Sequence, residues 1–190
     1  GWGRLNLFAA ADGYARFDGD VSLSMNAALG GFNALDSWKN DISGKGKLSK
    51  DGSGILRLAG NNSWSGGTDV RAGSLQADSA TAFGTGDIYV RAGASVIVNA
   101  AKMLAIGNYT QLADASLSLN IGAGEQGQLA STGTVTIAGG TLKLSFTASN
   151  RPKVGDTIKL ISANSFAGKF DKIVVDGYKL TPVYTKQGLS

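Results

Sequence analysis

One tetrapeptide occurs twice near the middle of the chain, as Val70-Arg71-Ala72-Gly73 and again as Val90-Arg91-Ala92-Gly93. A looser copy is Ile137-Ala138-Gly139-Gly140. Each copy precedes a short run of alternating apolar and polar residues, the pattern of a half-buried β-strand. A recurring corner followed by a recurring strand predicts that the chain repeats one structural unit.

The apolar centres of the strand-like runs show the same period. Leu56, Leu75, Val96, Leu117 and Leu142 follow one another at nearly even intervals, and the last interval is the longest. Glycine and asparagine fill the segments between the runs, where they supply the positive φ angles of tight corners. The 28 glycines in 190 residues are therefore interpreted as turn residues of a folded repeat.

Two architectures contain many short strands separated by turns: an antiparallel sandwich or barrel, and a parallel β-helix. A sandwich offers no reason for the same corner to return at a fixed period. In a solenoid, each rung stacks about 4.8 Å above the last, so equivalent corners lie on top of each other. We therefore predict an all-β, right-handed, single-stranded parallel β-helix, with five rungs between residues 48 and 146.

The period lapses after Phe146, and a proline follows at Pro152. Solenoids need a cap at each end, because an open strand edge invites further pairing. Asp176-Gly177 is a hairpin signal between strand-like runs. The sequence thus predicts a C-terminal β-hairpin cap built from the strand-like residues 157–161, 172–175 and 178–185.

The composition excludes most catalytic chemistry. The chain contains no histidine and no cysteine, so it cannot form a Ser-His-Asp or Cys-His unit, a histidine-bearing zinc site or a thiolate nucleophile. It has no apolar run long enough to span a bilayer as a helix. The absence of an initiator methionine leads us to expect a fragment of a longer protein.

The net charge of +4 is concentrated at one end. Residues 1–150 carry eleven basic and eleven acidic side chains, whereas residues 151–190 carry seven basic and three acidic ones. Attraction to nucleic acid or charged lipid is one interpretation, and lysine-protected strand edges are the other. We favour lysine-protected strand edges, because no aromatic platform interleaves the lysines as single-strand binding requires. No nucleic-acid partner is predicted.

Two groups of residues have the composition of a ligand site but not its pattern. The loops Gly84-Thr85-Gly86 and Gly122-Ala123-Gly124 do not open a helix after a strand, so rung corners are favoured over a phosphate site. Asp18, Asp20 and Asn26 lack the spacing of a calcium loop.

Lys45, Lys47 and Lys50 are interpreted as a solvated face rather than a ligand patch. Trp38 and Trp64 are interpreted as packed aromatics rather than carbohydrate platforms. We predict no catalytic, cofactor-binding or metal-binding residue, and no cofactor.

Residues 40–75 resemble the passenger-associated repeat of bacterial autotransporters. The resemblance lies in Asn40-Asp41-Ile42-Ser43-Gly44-Lys45-Gly46-Lys47-Leu48-Ser49-Lys50-Asp51-Gly52-Ser53-Gly54-Ile55-Leu56-Arg57-Leu58, then Gly60-Asn61-Asn62-Ser63-Trp64-Ser65-Gly66-Gly67-Thr68 and Ala72-Gly73-Ser74-Leu75. Trp64 stands where the family pattern usually has tyrosine.

Both ends are similar to parts of the same family. Residues 154–161 and 165–170 resemble the junction, or autochaperone, region that precedes the membrane barrel. Residues 1–13 resemble the closing helix of a subtilisin-like protease domain, and Leu5, Phe8 and Ala9 form a helical stripe there. A short N-terminal helix is therefore expected.

The resemblance implies three parts: a remnant of an upstream subtilase-like domain with a linker in 1–40, a β-helix stalk in 41–150, and an autochaperone cap in 151–190. It implies a non-enzymatic stalk that assists folding and surface display of a subtilisin-like serine protease. The implied partners are that upstream domain and a C-terminal outer-membrane β-barrel. An adhesin that contacts host surfaces is the alternative. The expected location is the bacterial surface, the outer membrane or, after cleavage, the medium, and the expected state is a monomer.

Overall fold

A computed structural model describes residues 12–121, 128–147, 151–175 and 177–190. Its regular structure is β-strand apart from two short 3₁₀ helices, Ala27–Leu29 and Gly31–Asn33. The strands are β1 Arg16–Phe17, β2 Val21–Ser24, β3 Leu35–Trp38, β4 Ser43–Gly44, β5 Leu48–Asp51, β6 Ile55–Leu58, β7 Thr68–Val70, β8 Ser74–Ala77, β9 Ile88–Val90, β10 Ser95–Val98, β11 Lys102–Ala105, β12 Tyr109–Gln111, β13 Ser116–Ile121, β14 Gln128–Ser131, β15 Thr134–Ile137, β16 Thr141–Phe146, β17 Ile161–Ser162, β18 Ser165–Gly168, β19 Lys172–Val175, β20 Tyr184–Thr185 and β21 Gly188–Leu189.

The strands form the three sides of a parallel β-helix. Side 1 is the sheet β2-β5-β7-β9-β12-β15-β18, and side 2 is the sheet β3-β6-β8-β10-β13-β16-β19. Side 3 carries the pair β1-β4 and, further along, β11-β14-β17, which continues into β21 and β20. The pairs within sides 1 and 2 are all parallel. The predicted parallel β-helix is confirmed.

The register on side 2 follows the predicted period. Leu56 pairs with Leu75, Leu75 with Val96, Val96 with Leu117, and Leu117 with Leu142. All five side chains are fully buried. Because successive strand residues point to opposite faces, this column and the neighbouring inward column fill the centre of the coil; the second column is Leu58, Ala77, Val98, Leu119 and Leu144.

The stack extends beyond the five predicted rungs. One further rung precedes them with β2 and β3, and another follows with β18 and β19. Ile173 of β19 pairs with Leu142, across a longer stretch of chain than separates any earlier pair in this column. A search at a fixed period does not find this last rung, because the chain between β16 and β19 is longer than one repeat. The two strands nevertheless pair in register. The parallel stack thus includes strands on both sides of residues 41–150.

Antiparallel strands close the C-terminal end, as predicted, but not at the predicted turn. The hairpin is formed by β20 and β21, and β21 pairs with β17. The expected hairpin arm Lys172–Val175 instead pairs in parallel with β16, because the open edge of β16 offers a complete set of backbone partners. Asp176 and the N-terminal helix expected in residues 1–11 lie outside the described residues.

Several corner glycines have positive φ angles, as predicted. Gly73 has φ 61° and Gly93 has φ 78°, whereas Asp114 takes the same conformation at φ 63° shortly before β13. Gly73 also lies so close to the preceding rung that a Cβ there would stand 2.3 Å from the carbonyl oxygen of Gly52. A Cβ on Gly93 would meet nothing within 4 Å.

The two copies of the tetrapeptide therefore provide a matched test of rung stacking. Gly93→Ala introduces only the strain of a left-handed residue, about 1–2 kcal/mol. Gly73→Ala adds a backbone collision between rungs, so we expect it to lower the free energy of unfolding by at least about 1 kcal/mol more. Urea denaturation of both variants measures the difference. Equal losses would show that the close approach at Gly73 contributes nothing.

Candidate functional site

The repeat contains a buried lysine that joins two rungs. Lys50 is fully buried, and β5 places it beside Val70 of the next rung. Its Nζ donates hydrogen bonds to the carbonyl oxygens of Asp51 at 2.8 Å, Gly52 at 3.0 Å and Ala72 at 3.3 Å. Burial lowers the pKa of the Lys50 ammonium, and the nearby charge of Asp51 opposes that shift. The ammonium thus holds a corner of its own rung against a corner of the next.

The predicted solvated lysine face is wrong for Lys50. Lys45 is exposed, and Lys47 is half-buried with its Nζ 3.8 Å from a carboxylate oxygen of Asp20. The signal for Lys50 was present in the repeat, because it precedes Val70 by one period and so falls in an inward column. Charge type alone suggested a surface position.

Asn62 also joins neighbouring rungs, on side 3. Its Oδ1 accepts the backbone N–H of Ile42 at 2.7 Å, and its Nδ2 donates to the carbonyl of Ala82 at 2.7 Å. Ile42, Asn62 and Ala82 belong to three successive rungs. Asn62 is buried, so these bonds replace water for backbone groups that have no strand partner there.

The two tryptophans are packed aromatics, as predicted. Trp64 is fully buried; its indole N–H lies 3.2 Å from both the carbonyl of Gly67 and the hydroxyl of Thr68, and its ring lies 5.1 Å from that of Phe17. Trp38 is 5% exposed and lies 5.3 Å from the ring of Tyr14. These rings pack against one another in the N-terminal part of the described core.

The repeated Val-Arg-Ala-Gly corner contains a shared ion pair. Asp69 is buried and accepts hydrogen bonds from Arg71 at 3.1 Å and from Arg91 of the next rung at 2.9 Å. Burial by itself raises the pKa of Asp69, but hydrogen bonds from Arg91 and Arg71, with their charges, outweigh it. The pKa of this carboxyl therefore lies below its ordinary value.

A ladder of hydrogen bonds runs along the outside of the stack at the end of side 2. Asp78 Oδ1 accepts from Asn99 Nδ2 at 2.9 Å, Asn99 Oδ1 from Asn120 Nδ2 at 3.1 Å, and Asn120 Oδ1 from Ser145 Oγ at 2.7 Å. The ladder links four rungs. It was not predicted from the sequence, although Asp78, Asn99 and Asn120 are spaced by the repeat period.

The residues with the composition of a calcium site make separate local contacts. Asp18 pairs with Arg16 and is exposed. Asp20 accepts the backbone N–H of Lys47 at 3.0 Å, and Asn26 caps the first 3₁₀ helix. Within the part of the chain that the structure describes, no three acidic side chains form a group able to hold a metal ion.

The loop Gly84-Thr85-Gly86 is a rung corner, as predicted. A Cβ at Gly84 would lie 2.5 Å from the carbonyl oxygen of Trp64, and one at Gly86 would lie 2.5 Å from the backbone nitrogen of Gly67. The loop is therefore packed against the preceding rung. Gly122-Ala123-Gly124 lies outside the described residues.

The basic C-terminal part of the chain exposes its charges. All seven side chains are exposed, namely Arg151, Lys153, Lys159, Lys169, Lys172, Lys179 and Lys186. Lys169 lies over the ring of Tyr184 at 5.7 Å. Among the residues described by the structure, no helix has the length and hydropathy needed to cross a membrane.

Comparison with known proteins connects this architecture to bacterial surface proteins. Residues 48–77 match the Passenger-associated-transport-repeat. The chain is 51% identical over 49 residues to an extracellular serine protease of Serratia marcescens, a match that covers 26% of this chain and 5% of that protein. It is 41% identical over 76 residues to the Neisserial autotransporter lipoprotein NalP of Neisseria meningitidis serogroup B, which covers 40% of this chain and 7% of that protein.

A third relative covers more of the chain. The Adhesin BmaC autotransporter of Brucella suis biovar 1 is 30% identical over 136 residues, or 69% of this chain and 4% of the adhesin. The chain thus spans between 4% and 7% of the length of these relatives.

The stacked rungs and the matched repeat are those of an autotransporter passenger domain, in agreement with the autotransporter relatives. Residues 48–77, which contain Lys50, Asn62 and Asp69, are its passenger-associated-transport-repeat. The protein is located at the outer-membrane surface or is secreted, as autotransporters are.

The shared ion pair predicts a pH-dependent contribution to stability. Because the pKa of Asp69 is lower in the folded state than its unfolded value of about 3.9, the pair stabilises the fold above that value and the effect disappears as the pH falls through the folded pKa. We expect Asp69→Asn to lower the free energy of unfolding by about 1.5–3 kcal/mol at pH 7. The difference from wild type should narrow in urea titrations at about pH 3.

Asp18→Asn is the matched control, since Asp18 also pairs with an arginine but is exposed. Its effect should stay within about 0.5 kcal/mol. A loss for Asp69→Asn that is the same at both pH values would contradict the assignment.

Proposed function

We propose that this segment is the stalk and folding cap of an autotransporter passenger, and that it supports the folding and surface display of an upstream subtilisin-like protease domain. Residues 41–150 supply the stalk and residues 151–190 the cap. The proposal depends mainly on one observation: the parallel ladder of side 3 ends in antiparallel strands that cover its last rung.

The contacts of the final strands support the role of a cap. The backbone N–H groups of Leu160, Ala163 and Phe166 donate to the carbonyls of Leu189, Gln187 and Lys186 at 3.0, 2.9 and 2.8 Å. Leu189 is buried against the core. These bonds occupy the edge on which another strand could otherwise pair, so the end of side 3 is closed.

The topology also suggests how the segment assists folding. Each strand of sides 1 and 2 pairs only with the strands one rung before and after it, so stability accumulates from nearest-neighbour contacts. The last rung, which β21 covers on side 3, presents a formed edge on which the preceding rung pairs. In our proposal, folding starts at the cap and proceeds rung by rung toward the N-terminus.

The upstream domain is inferred from two lines of support. Residues 1–13 resemble the closing helix of a subtilisin-like domain, and one relative is named an extracellular serine protease. The segment itself is proposed to be non-catalytic, because its sequence lacks histidine and cysteine. The proposed partners are the upstream domain and the outer-membrane β-barrel of the parent protein.

An adhesin role is the second candidate. The relative that covers 69% of this chain is named an adhesin, and seven exposed basic side chains lie between positions 151 and 190. Such a surface attracts acidic groups at low salt, and the attraction weakens as the salt concentration rises.

Removal of residues 151–190 tests the cap. We expect the shortened chain to be cleaved by protease much faster than the full chain, because its last rung then exposes open strand edges and unprotected apolar residues. Limited proteolysis of both chains under native conditions measures this. Equal resistance would overturn the proposed cap.

A point variant tests the contact that covers side 3 without shortening the chain. Leu189→Asp places a charge in the buried contact with β17, and should raise the rate of proteolysis. Gln187→Asp adds the same charge at an exposed position of the same hairpin and should behave as wild type.

The adhesin role makes a different prediction. If the segment binds host surfaces through its basic end, reversing Lys159, Lys172 and Lys186 to glutamate should abolish a salt-sensitive binding of the full chain to immobilised acidic glycans. The exposed residues Lys45 and Lys102 provide charge-reversed controls. No binding at about 50 mM salt, where electrostatic attraction is strong, would leave the stalk and cap as the function.

A further inference from the structure

A cleft of about 590 Å³ lies beside the last rung. Its lining includes Leu144, Leu160 and Ile173, which belong to the core or pack against it. Val154 and Val183 also line it and are exposed. A concave apolar surface of this size is typical of a binding site.

Two segments with strand-like sequences border the cleft. In residues 157–160, Ile158 packs against the core while Lys159 is exposed. In residues 178–182, Leu180 packs against the core while Lys179 is exposed. The sequence pattern predicts a strand in both segments, yet neither is paired as one in the structure.

The backbones of these segments have unused donors. Among the described residues, the N–H groups of Thr157, Ile158 and Lys159 donate to no other group, and the same is true of residues 178–181. Leu160, the next residue, donates to Leu189 and already belongs to the cap. Unpaired backbone beside an apolar cleft is the arrangement that accepts an added strand.

The rim of the cleft is basic. Lys153 and Lys179 line it, and both are exposed without an ion pair among the residues that the structure describes. Asp156 also lines the cleft, where its carboxylate accepts the backbone N–H of Lys153 at 2.7 Å, and two lysines against one aspartate leave one positive charge in excess. The charge therefore favours an acidic occupant.

We propose that the cleft between residues 157–160 and 178–182 binds an extended peptide strand in which apolar and acidic residues alternate. The apolar side chains enter the cleft, the acidic ones face Lys153 and Lys179, and the backbone pairs with the free N–H groups. This gives the C-terminal end a peptide-binding activity in addition to its proposed role as a cap.

A lipid-like molecule is the competing ligand. An anionic acyl chain matches the apolar interior and the basic rim of the cleft, but it offers no row of carbonyl groups to the free backbone donors. Only a strand satisfies all three features. Protection of the backbone amides on binding therefore distinguishes the two.

Site-resolved hydrogen exchange on the full chain tests the proposal, with the acetylated and amidated peptide Glu-Val-Glu-Val-Glu-Val-Glu as the probe. Without peptide, the amides of residues 157–159 and 178–181 should exchange rapidly. With peptide, these amides should become protected. The peptide with lysine in place of each glutamate should bind at least about tenfold more weakly.

Charge reversal of the rim is the second arm. The double variant Lys153→Glu, Lys179→Glu should weaken binding of the acidic peptide by at least about tenfold. Both side chains are exposed, so the fold should survive. The double variant Lys45→Glu, Lys102→Glu makes the same change on other exposed lysines and should bind the peptide as wild type does.

Three results would overturn the proposal. Amides of residues 157–159 and 178–181 that are protected in the free chain would show that the two segments already pair. Binding of lauric acid, with no amide protection by either peptide, would assign the cleft to an acyl chain. Equal affinity for the acidic and basic peptides would show that Lys153 and Lys179 do not recognise acidic side chains.

Discussion

In-register pairing of each rung with the next is the constraint on which this structure depends. Every strand on sides 1 and 2 finds its backbone partners one turn of the coil away, at the same place in the neighbouring rung. The pairing brings corners so close that Gly73 has room for no side chain. The same pairing aligns the inward side chains into columns, so one sequence period defines both the backbone ladder and the core.

Polar groups inside the coil follow from the same constraint. Corners leave backbone carbonyls and N–H groups without strand partners, and such groups are costly to bury unpaired. Lys50 and Asn62 supply the missing partners from within the core, and each contacts a neighbouring rung. Asp69 links rungs through ion pairs, because it accepts hydrogen bonds from Arg71 and from Arg91 of the next rung. The side chains of the matched repeat therefore bond successive rungs to one another as well as filling the core.

The two ends depart from this regularity for different reasons. At the C-terminal end, β21 reverses the strand direction and closes side 3, while two strand-like segments next to it remain unpaired around an apolar cleft. At the N-terminal end, the rings of Tyr14, Phe17, Trp38 and Trp64 form a chain of contacts over the first rungs. Residues 151–190 therefore include both the strands that cover side 3 and the unpaired segments around the cleft. The excess positive charge lies in the same residues.

The sequence by itself determined the period, the column from Leu56 to Leu142, the glycine corners and the class of protein, because local spacing encodes which residues stack. Only the tertiary structure decided that β19 joins the stack instead of a hairpin, and that residues 157–160 and 178–182 border a cleft. The reason is physical: these outcomes depend on which open edge or carbonyl lies nearest in space, and inserted loops separate those partners in sequence by irregular distances.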